Sequence, residues 1–517
     1  MRLSTISIKK LRDVSLGRRE KRNIRRCLTI DGVMVMGDPF VYEDIFLKLI
    51  DRGLKNGASY VEVRLQTDEG SSITMRNGKV LGFSTFGGGG VGIRVLVEGG
   101  MGFASTNKMD GESLDKALAS AVSAARSASR LKKRKIGLSD ERLGRASYEA
   151  YQKKRLEDLS FEFLTEEGKR VESEVRDSVK RTKLSVFSIS FSAHIQEKLI
   201  LTSDGAHISS KVPRLYASLN FVLEDGGKTM QRWREYSGSG GAELLEEWKI
   251  ESEVSEEAKR LETVMLFGVS PPKEKLDVVL GQEIVGLAMH ESSGHPMEAD
   301  RILGREAAQA GESFVKPESF GTKIGSPLAT VIEDPTIPGS SGFYLFDDEG
   351  VPAKPRYLYK EGYINEPLLN RETAFMLARK SNGSARAMSY AAEPLVRMSN
   401  TYLEPGDKSF EELIEDISFG IYMRSYMEWN IDDIRWNQRY VGLESYIIKN
   451  GEIGDPVRNP VMEVTTGEFY GKLFAKDKNL KFFPGTCGKG EPHQGVPVWF
   501  GGPNVRLIGI GIKGLGD

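Results

Sequence analysis

Apolar residues recur along this chain in two modes, and the switches between them outline the fold. From residue 40 to 56, Phe40, Ile45, Leu47, Leu49, Ile50 and Leu54 fall at helical spacing and predict an amphipathic helix. Period-two patterns follow in "ASYVEVRLQ" and "SSITMRNGKVLGFST", read as strands with a tight turn at Asn77–Gly78. "GVGIRVLVEGGMGFAST" predicts another hairpin, and "SLDKALASAVSAARSASRL" a helix with small residues on its packing face. A polar helix is expected near 156–181, long strands at 184–191, 193–203 and 213–223, and a closing helix over roughly 242–266.

"FGVSPPKEK", residues 267–275, then supplies a glycine, two prolines and a run of charge, which predicts a linker. The expected division is 1–36 as an extension, 37–270 as one domain and 271–517 as another. Strands and helices come in blocks rather than in alternation, so the first domain reads as α+β with an antiparallel sheet. "GGGGVG", Gly87–Gly92, satisfies a dinucleotide fingerprint in form, with Asp110 at about the right distance. That fingerprint must open a helix, and "IRVLV" is a strand; the glycines are expected to form a loop between strands. The second half opens with "LDVVL", a short buried strand. Ile284, Val285, Leu287 and Ala288 then lead at helical spacing into "MHESSGHPMEAD".

Composition narrows the setting. A formal net charge of -1 provides no field for nucleic acid or an anionic membrane. No apolar run reaches the roughly 18 residues of a membrane span, and no secretory h-region appears. Two cysteines, Cys27 and Cys487, make no disulfide framework, so a cytoplasmic protein is expected. Ten Lys/Arg in residues 1–26 face only Asp13 and Glu20 without a sustained apolar face. Residues 1–36 are therefore expected to be disordered, or to precede a native start at Met34 or Met36, rather than to act as a targeting peptide.

The chemistry concentrates at His290, Glu291 and His295. Zinc peptidases commonly place two histidines four residues apart on a helix, with a glutamate after the first. Here the second histidine comes five residues on. On an ideal α-helix that spacing turns the side chains about 140° apart, against about 40° for a spacing of four. A π-type turn would restore a common side. Pro296 gives it a cause, since it cannot donate to the Ser292 carbonyl, and Gly294 is expected to give the backbone freedom. Glu291 would then be placed to take a proton from a water on the metal. A third ligand is needed. Glu298 and Asp300 are near in sequence. Cys487 lies among Gly485, Gly488 and Gly490 in "FFPGTCGKGEPHQGVPVWFGG", with His493 six residues on as a rival.

"HESSGHPMEAD", "DDEG" at 347–350, "VRMSNTYLEPGD" at 396–407 and "PGTCGKG…QGVPV" at 484–497 resemble the TldD branch of the TldD/PmbA metallopeptidase family, over about residue 37 to the end. The resemblance implies an N-terminal α+β domain and a C-terminal β-rich, barrel-like domain carrying the metal-binding helix. It implies Zn2+ held by His290, His295 and Cys487, with Glu291 as general base. It also implies unstructured peptide substrates and a dimer, either with itself or with a PmbA/TldE-like paralogue. The "EPH" insertion between "CGKG" and "QGVPV" departs from the family pattern. Asp347, Asp348 and Glu349 are candidates to hold a ligand imidazole, and Arg397 and Asn400 to meet a peptide backbone. Two other readings stay open: a cysteine peptidase using Cys487, and a non-catalytic peptide-binding partner.

Overall fold

A computed structural model describes residues 42–131, 134–141, 143–306, 311–490 and 493–516, with the backbone of 29–30 and 33–34. The basic segment 1–26, Cys27 and Phe40 lie outside the described residues. The first helix, α1 (Glu43–Lys55), buries Phe46, Leu49 and Ile50. Ile45, Leu47 and Leu54, expected on the packing face, are exposed.

The N-terminal half is a seven-stranded sheet with helices against it. Its strands are β1 (Tyr60–Arg76), β2 (Lys79–Val97), β3 (Gly100–Thr106), β4 (Arg145–Glu149), β5 (Lys183–Thr202), β6 (His207–Asp225) and β7 (Lys228–Ser239). The path runs β3-β2-β1-β5-β6-β4, with β7 also paired to β6. All pairs are antiparallel except β4 with β6. The Asn77–Gly78 turn forms with both residues at positive φ, the backbone a tight hairpin requires. Strands expected as separate pieces are continuous. β2 runs straight through Gly87–Gly92, paired residue by residue with β1, so those glycines are strand and not the expected loop. They open no helix, which removes the dinucleotide reading.

Helices α2 (Gly111–Leu131) and α3 (Phe161–Ser178) bury one face each. The closing helix is two, α4 (Glu243–Trp248) and α5 (Ile250–Phe267), because Lys249 turns left-handed between them at φ 47°. No helix among the described residues is long and apolar enough to cross a membrane.

The second half holds two further large sheets, one of nine strands and one of six. In the first, β8 (Lys275–Leu280) pairs antiparallel with Val505–Gly514 and parallel with Phe419–Met423. The second ends in β9 (Asn400–Leu403), β10 (Lys481–Lys489) and β11 (Gln494–Gly502), in the order β9-β11-β10. One apolar core joins both sheets to helix α6 (Gln282–Met289). Gly286 makes that packing possible: a Cβ there would lie 2.8 Å from the Gly501 nitrogen. The fold is α+β, as the sequence predicts.

Candidate metal centre

At its C-terminal end α6 changes pitch. Residues His290–Gly294 form a π-turn, with His295 N–H donating back five residues to the His290 carbonyl. A 3-10 turn, His295–Met297, follows. Pro296 has no N–H for the Ser292 carbonyl, and the Tyr359 hydroxyl donates to that carbonyl instead, at 2.9 Å. Ser292 Oγ, which donates to the Ala288 carbonyl at 2.5 Å, also meets the Tyr470 hydroxyl at 2.8 Å. Gly294 has ordinary helical angles, φ -57° and ψ -64°. It is needed for space and not for flexibility, because a Cβ would collide with Met398 Sδ.

The widened turn brings the two rings together, with centroids 4.9 Å apart and planes at 83°. Cys487, on β10, completes a group whose ligand atoms lie within 4.8 Å of one another. All three residues are buried. Cys487 Sγ lies 3.6 Å from His295 Nε2. A tetrahedral zinc ion with bonds of about 2.3 Å to sulfur and about 2.05 Å to nitrogen sets that edge at about 3.6 Å. His290 Nδ1 is buried without a hydrogen-bond partner among the described residues, so the donor set has one nitrogen that an ion could satisfy. Burial lowers both imidazole pKa values, which keeps them neutral and able to ligate. Burial pushes the Cys487 thiol up, but the neighbouring His295 and Arg397 bring it to about 7. Two imidazoles, one thiolate and an open fourth position suit zinc.

Of the rival ligands, Glu298 and Asp300 turn elsewhere. Glu298 is fully buried, and its Oε2 meets His295 Nδ1 at 3.0 Å, Arg301 Nε at 2.7 Å and Lys489 Nζ at 3.3 Å. Burial opposes its ionisation, but Lys489, Arg301 and His295 together hold it well below the usual carboxylate range. It thereby fixes Nε2 as the His295 atom that faces Cys487. Asp300 accepts from Lys489 at 2.7 Å. His493 is exposed, near the tip of the β10–β11 hairpin, and outside the ligand group. Glu291 pairs through Oε2 with Arg435 Nη1 at 2.7 Å, buried on both sides. Arg435 reaches it from the turn between Tyr426–Ile431 and Asn437–Gly442, at φ 67°.

The other sequence candidates serve different ends. Arg397 grips the β10–β11 hairpin, donating to the carbonyls of Gln494 (3.0 Å) and Cys487. Asn400 is buried, donating to the Asp334 carbonyl at 2.6 Å and Ser340 Oγ at 2.9 Å. Both side chains are fully buried and bonded within the chain. The acidic trio holds no ligand imidazole. Asp347 accepts three backbone N–H groups, from Glu349, Val351 and Ala385. Asp348 pairs with Lys198 at 2.8 Å and Glu349 with Arg94 at 2.6 Å, both on the N-terminal sheet. The motif joins the two halves of the chain. Tyr359 and Arg435 carry no local signature that sequence reasoning could use, and Lys489, inside "CGKG", has none that marks it as the partner of Glu298 and Asp300.

Known proteins share this arrangement of chain. Residues 273–514 match the PmbA/TldA metallopeptidase C-terminal domain, 154–266 its central domain and 61–125 its domain 1. A protein of Methanocaldococcus jannaschii named a metalloprotease is 30% identical over 89% of this chain and 98% of its own length. A Haemophilus influenzae protein named a metalloprotease TldD homolog is 30% identical over 64% of this chain and 68% of its own. The crystal structure of TldE from Thermococcus kodakarensis superposes with a TM-score of 0.71, covering 91% of this chain and all of that one at 17% identity, a likeness of fold. By sequence, by domain order and by fold, this chain belongs to the PmbA/TldD family of metallopeptidases.

Proposed function

We propose that the chain is a zinc-dependent peptidase of unstructured peptides, with His290, His295 and Cys487 as ligands and Glu291 as general base. The observation that carries this reading is the π-turn that directs two histidines, five residues apart, toward one cysteine from a distant strand. A zinc ion held there would supply Lewis acidity, polarising a scissile carbonyl and acidifying water. Glu291 follows directly on the first ligand, and its pair with Arg435 engages Oε2, so Oε1 is the oxygen left to accept a proton and pass it to the leaving amine. Glu298 keeps the proton of His295 on Nδ1, and the low pKa of the imidazoles keeps them from competing as acids. β10 is the last strand of its sheet and carries Cys487, so an extended peptide can add to it through backbone hydrogen bonds with little side-chain selectivity. The family resemblance extends the proposal to a dimer, homomeric or with a TldE-like paralogue.

The cysteine-peptidase reading would also account for a Cys487–His295 contact. It gives no task to His290, whose Nδ1 has no partner among the described residues, or to Glu291 with its arginine. Chelation of the purified protein should abolish peptide hydrolysis and zinc should restore it. Glu291→Gln should keep the metal and lose about 10²-fold or more in turnover, whereas Cys487→Ala should lose the metal. Full activity in metal-free protein, together with inactivation by a thiol alkylator, would establish the cysteine mechanism instead.

A further inference from the structure

The N-terminal sheet and the C-terminal half meet around a small cavity that the proposed hydrolysis does not use. Its volume is about 60 Å³, and Lys198, Arg214, Arg386, Asp348, Tyr148 and Met388 are among the residues that line it. Lys198 and Arg214 come from β5 and β6; Asp348 and Arg386 come from the other half of the chain. One buried water needs roughly 10–15 Å³ of such space, so there is room for a carboxylate group.

The walls carry more positive charge than they balance. Arg214 donates only to carbonyls, those of Ser341 at 3.0 Å and Phe343 at 3.2 Å. Arg386 does the same, to Met398 at 2.5 Å and Pro497 at 2.9 Å, with its guanidinium over the Tyr344 ring. Both side chains are buried, and among the described residues neither has a carboxylate in ion-pair reach. Asp348, the ionised acid of the lining, is already engaged by Lys198 at 2.8 Å and Arg64 at 3.4 Å. Asp347 is committed to the backbone N–H groups of Glu349, Val351 and Ala385 and pairs with neither arginine. Burial together with the repulsion of Arg214 and Arg397 lowers Arg386 to about 10. Buried charge without a counter-charge is costly.

We propose that this cavity binds a carboxylate, and that the molecule bearing it is a peptide. Gly495–Pro497 forms one wall, and in the β10–β11 register Cys487 lies directly opposite Val496. The wall and the proposed metal ligand are therefore one inter-strand spacing apart, about 4.8 Å between backbones. A peptide anchored there by its carboxylate is held beside the site of hydrolysis. Treating that peptide as substrate rests on the peptidase proposal; the charge imbalance of the cavity does not.

The test measures binding rather than turnover, on the metal-loaded Glu291→Gln protein, so it reads out whether or not the chain is a peptidase. Three fluorescent peptides of one sequence are compared: one with a free C-terminal carboxylate, its C-terminal amide, and an amide ending in Asp. The free acid should bind at least about thirtyfold tighter than the amide, the lower end of what a buried charge pair supplies. The Asp-bearing amide should match it only if a side-chain carboxylate is equally acceptable. Arg386→Gln and Arg214→Gln should each remove the preference. Each substitution also takes donors from buried carbonyls, so the melting temperature should fall; binding is read well below each variant's transition, and a retained cooperative thermal transition separates lost binding from lost folding. At matched ionic strength, acetate should raise the melting temperature of the unsubstituted cavity more than that of either variant. Equal binding of all three peptides, or a preference that survives both substitutions, would overturn the proposal.

Discussion

Removing the Tyr359 hydroxyl tests why this chain can use a five-residue histidine spacing. The π-turn costs α6 a backbone hydrogen bond at Ser292, since Pro296 offers no N–H. Tyr359, fully buried, replaces it at 2.9 Å. In Tyr359→Phe the ring and its packing on Tyr470 remain, and the Ser292 carbonyl loses this donor in a dry site. The loss should be about 1–3 kcal/mol, the penalty for a buried polar group left unmade and more than an exchange with water would cost. Chemical denaturation of the metal-free protein reads that figure. The same substitution should weaken zinc binding, measured against a competing chelator, because the turn that aligns His290 with His295 is no longer held. Pro296→Ala gives a complementary perturbation. It returns an N–H to the Ser292 carbonyl and lets the helix rewind toward α geometry, so zinc affinity should fall while the metal-free fold is not weakened. The two substitutions share one carbonyl and should be non-additive by about 0.5–3 kcal/mol in a double-mutant cycle. A Tyr359→Phe protein within about 0.5 kcal/mol of the parent, with unchanged zinc affinity, would refute the reasoning.

Other consequences follow from the surroundings of the site. Glu298→Gln should lower zinc affinity about 10–100-fold in the same competition assay, because it releases the His295 ring. Arg435→Gln should reduce kcat while zinc affinity stays near normal, and Arg435→Lys should recover part of the loss; a drop in zinc affinity equal to that of Glu298→Gln would show that Arg435 supports the ligands instead. Since the imidazoles are already neutral at mildly acid pH and Cys487 titrates at about 7, one proton should leave on zinc binding below that pH. Zinc affinity should then rise about tenfold per pH unit up to neutrality and level off above it; a two-proton slope would mean that an imidazolium also has to lose its proton.

The parts of the site that the sequence discloses are those whose cause is local. His290 and His295 differ by five positions, Pro296 lacks an N–H, and helical periodicity precedes both, so a π-type distortion can be worked out from covalent chemistry alone. The partners of that distortion cannot. Tyr359 and Tyr470 reach Ser292 across 67 and 178 residues, and nothing in their own neighbourhoods marks them. Glu298 was visible as an acid near the motif, but a ligand and a holder of the ligand have the same sequence signature until Arg301 and Lys489 are placed. The strands were legible by alternation and mistaken in length. Glycine is depleted in strands, yet Gly87–Gly92 continues β2 because β1 supplies a partner for each residue. The acidic trio reads from sequence as a holder of a ligand imidazole; Asp348 and Glu349 instead pair with Lys198 and Arg94, which only the meeting of the two halves brings near.

X-ray absorption at the zinc edge of the metal-loaded protein examines the central claim most directly. The account predicts one sulfur scatterer at about 2.3 Å and two imidazole nitrogens at about 2.0–2.1 Å, in a four-coordinate site completed by one light atom. The sulfur contribution should vanish in Cys487→Ala. A shell of nitrogen and oxygen without sulfur, or six-coordinate zinc, would contradict it.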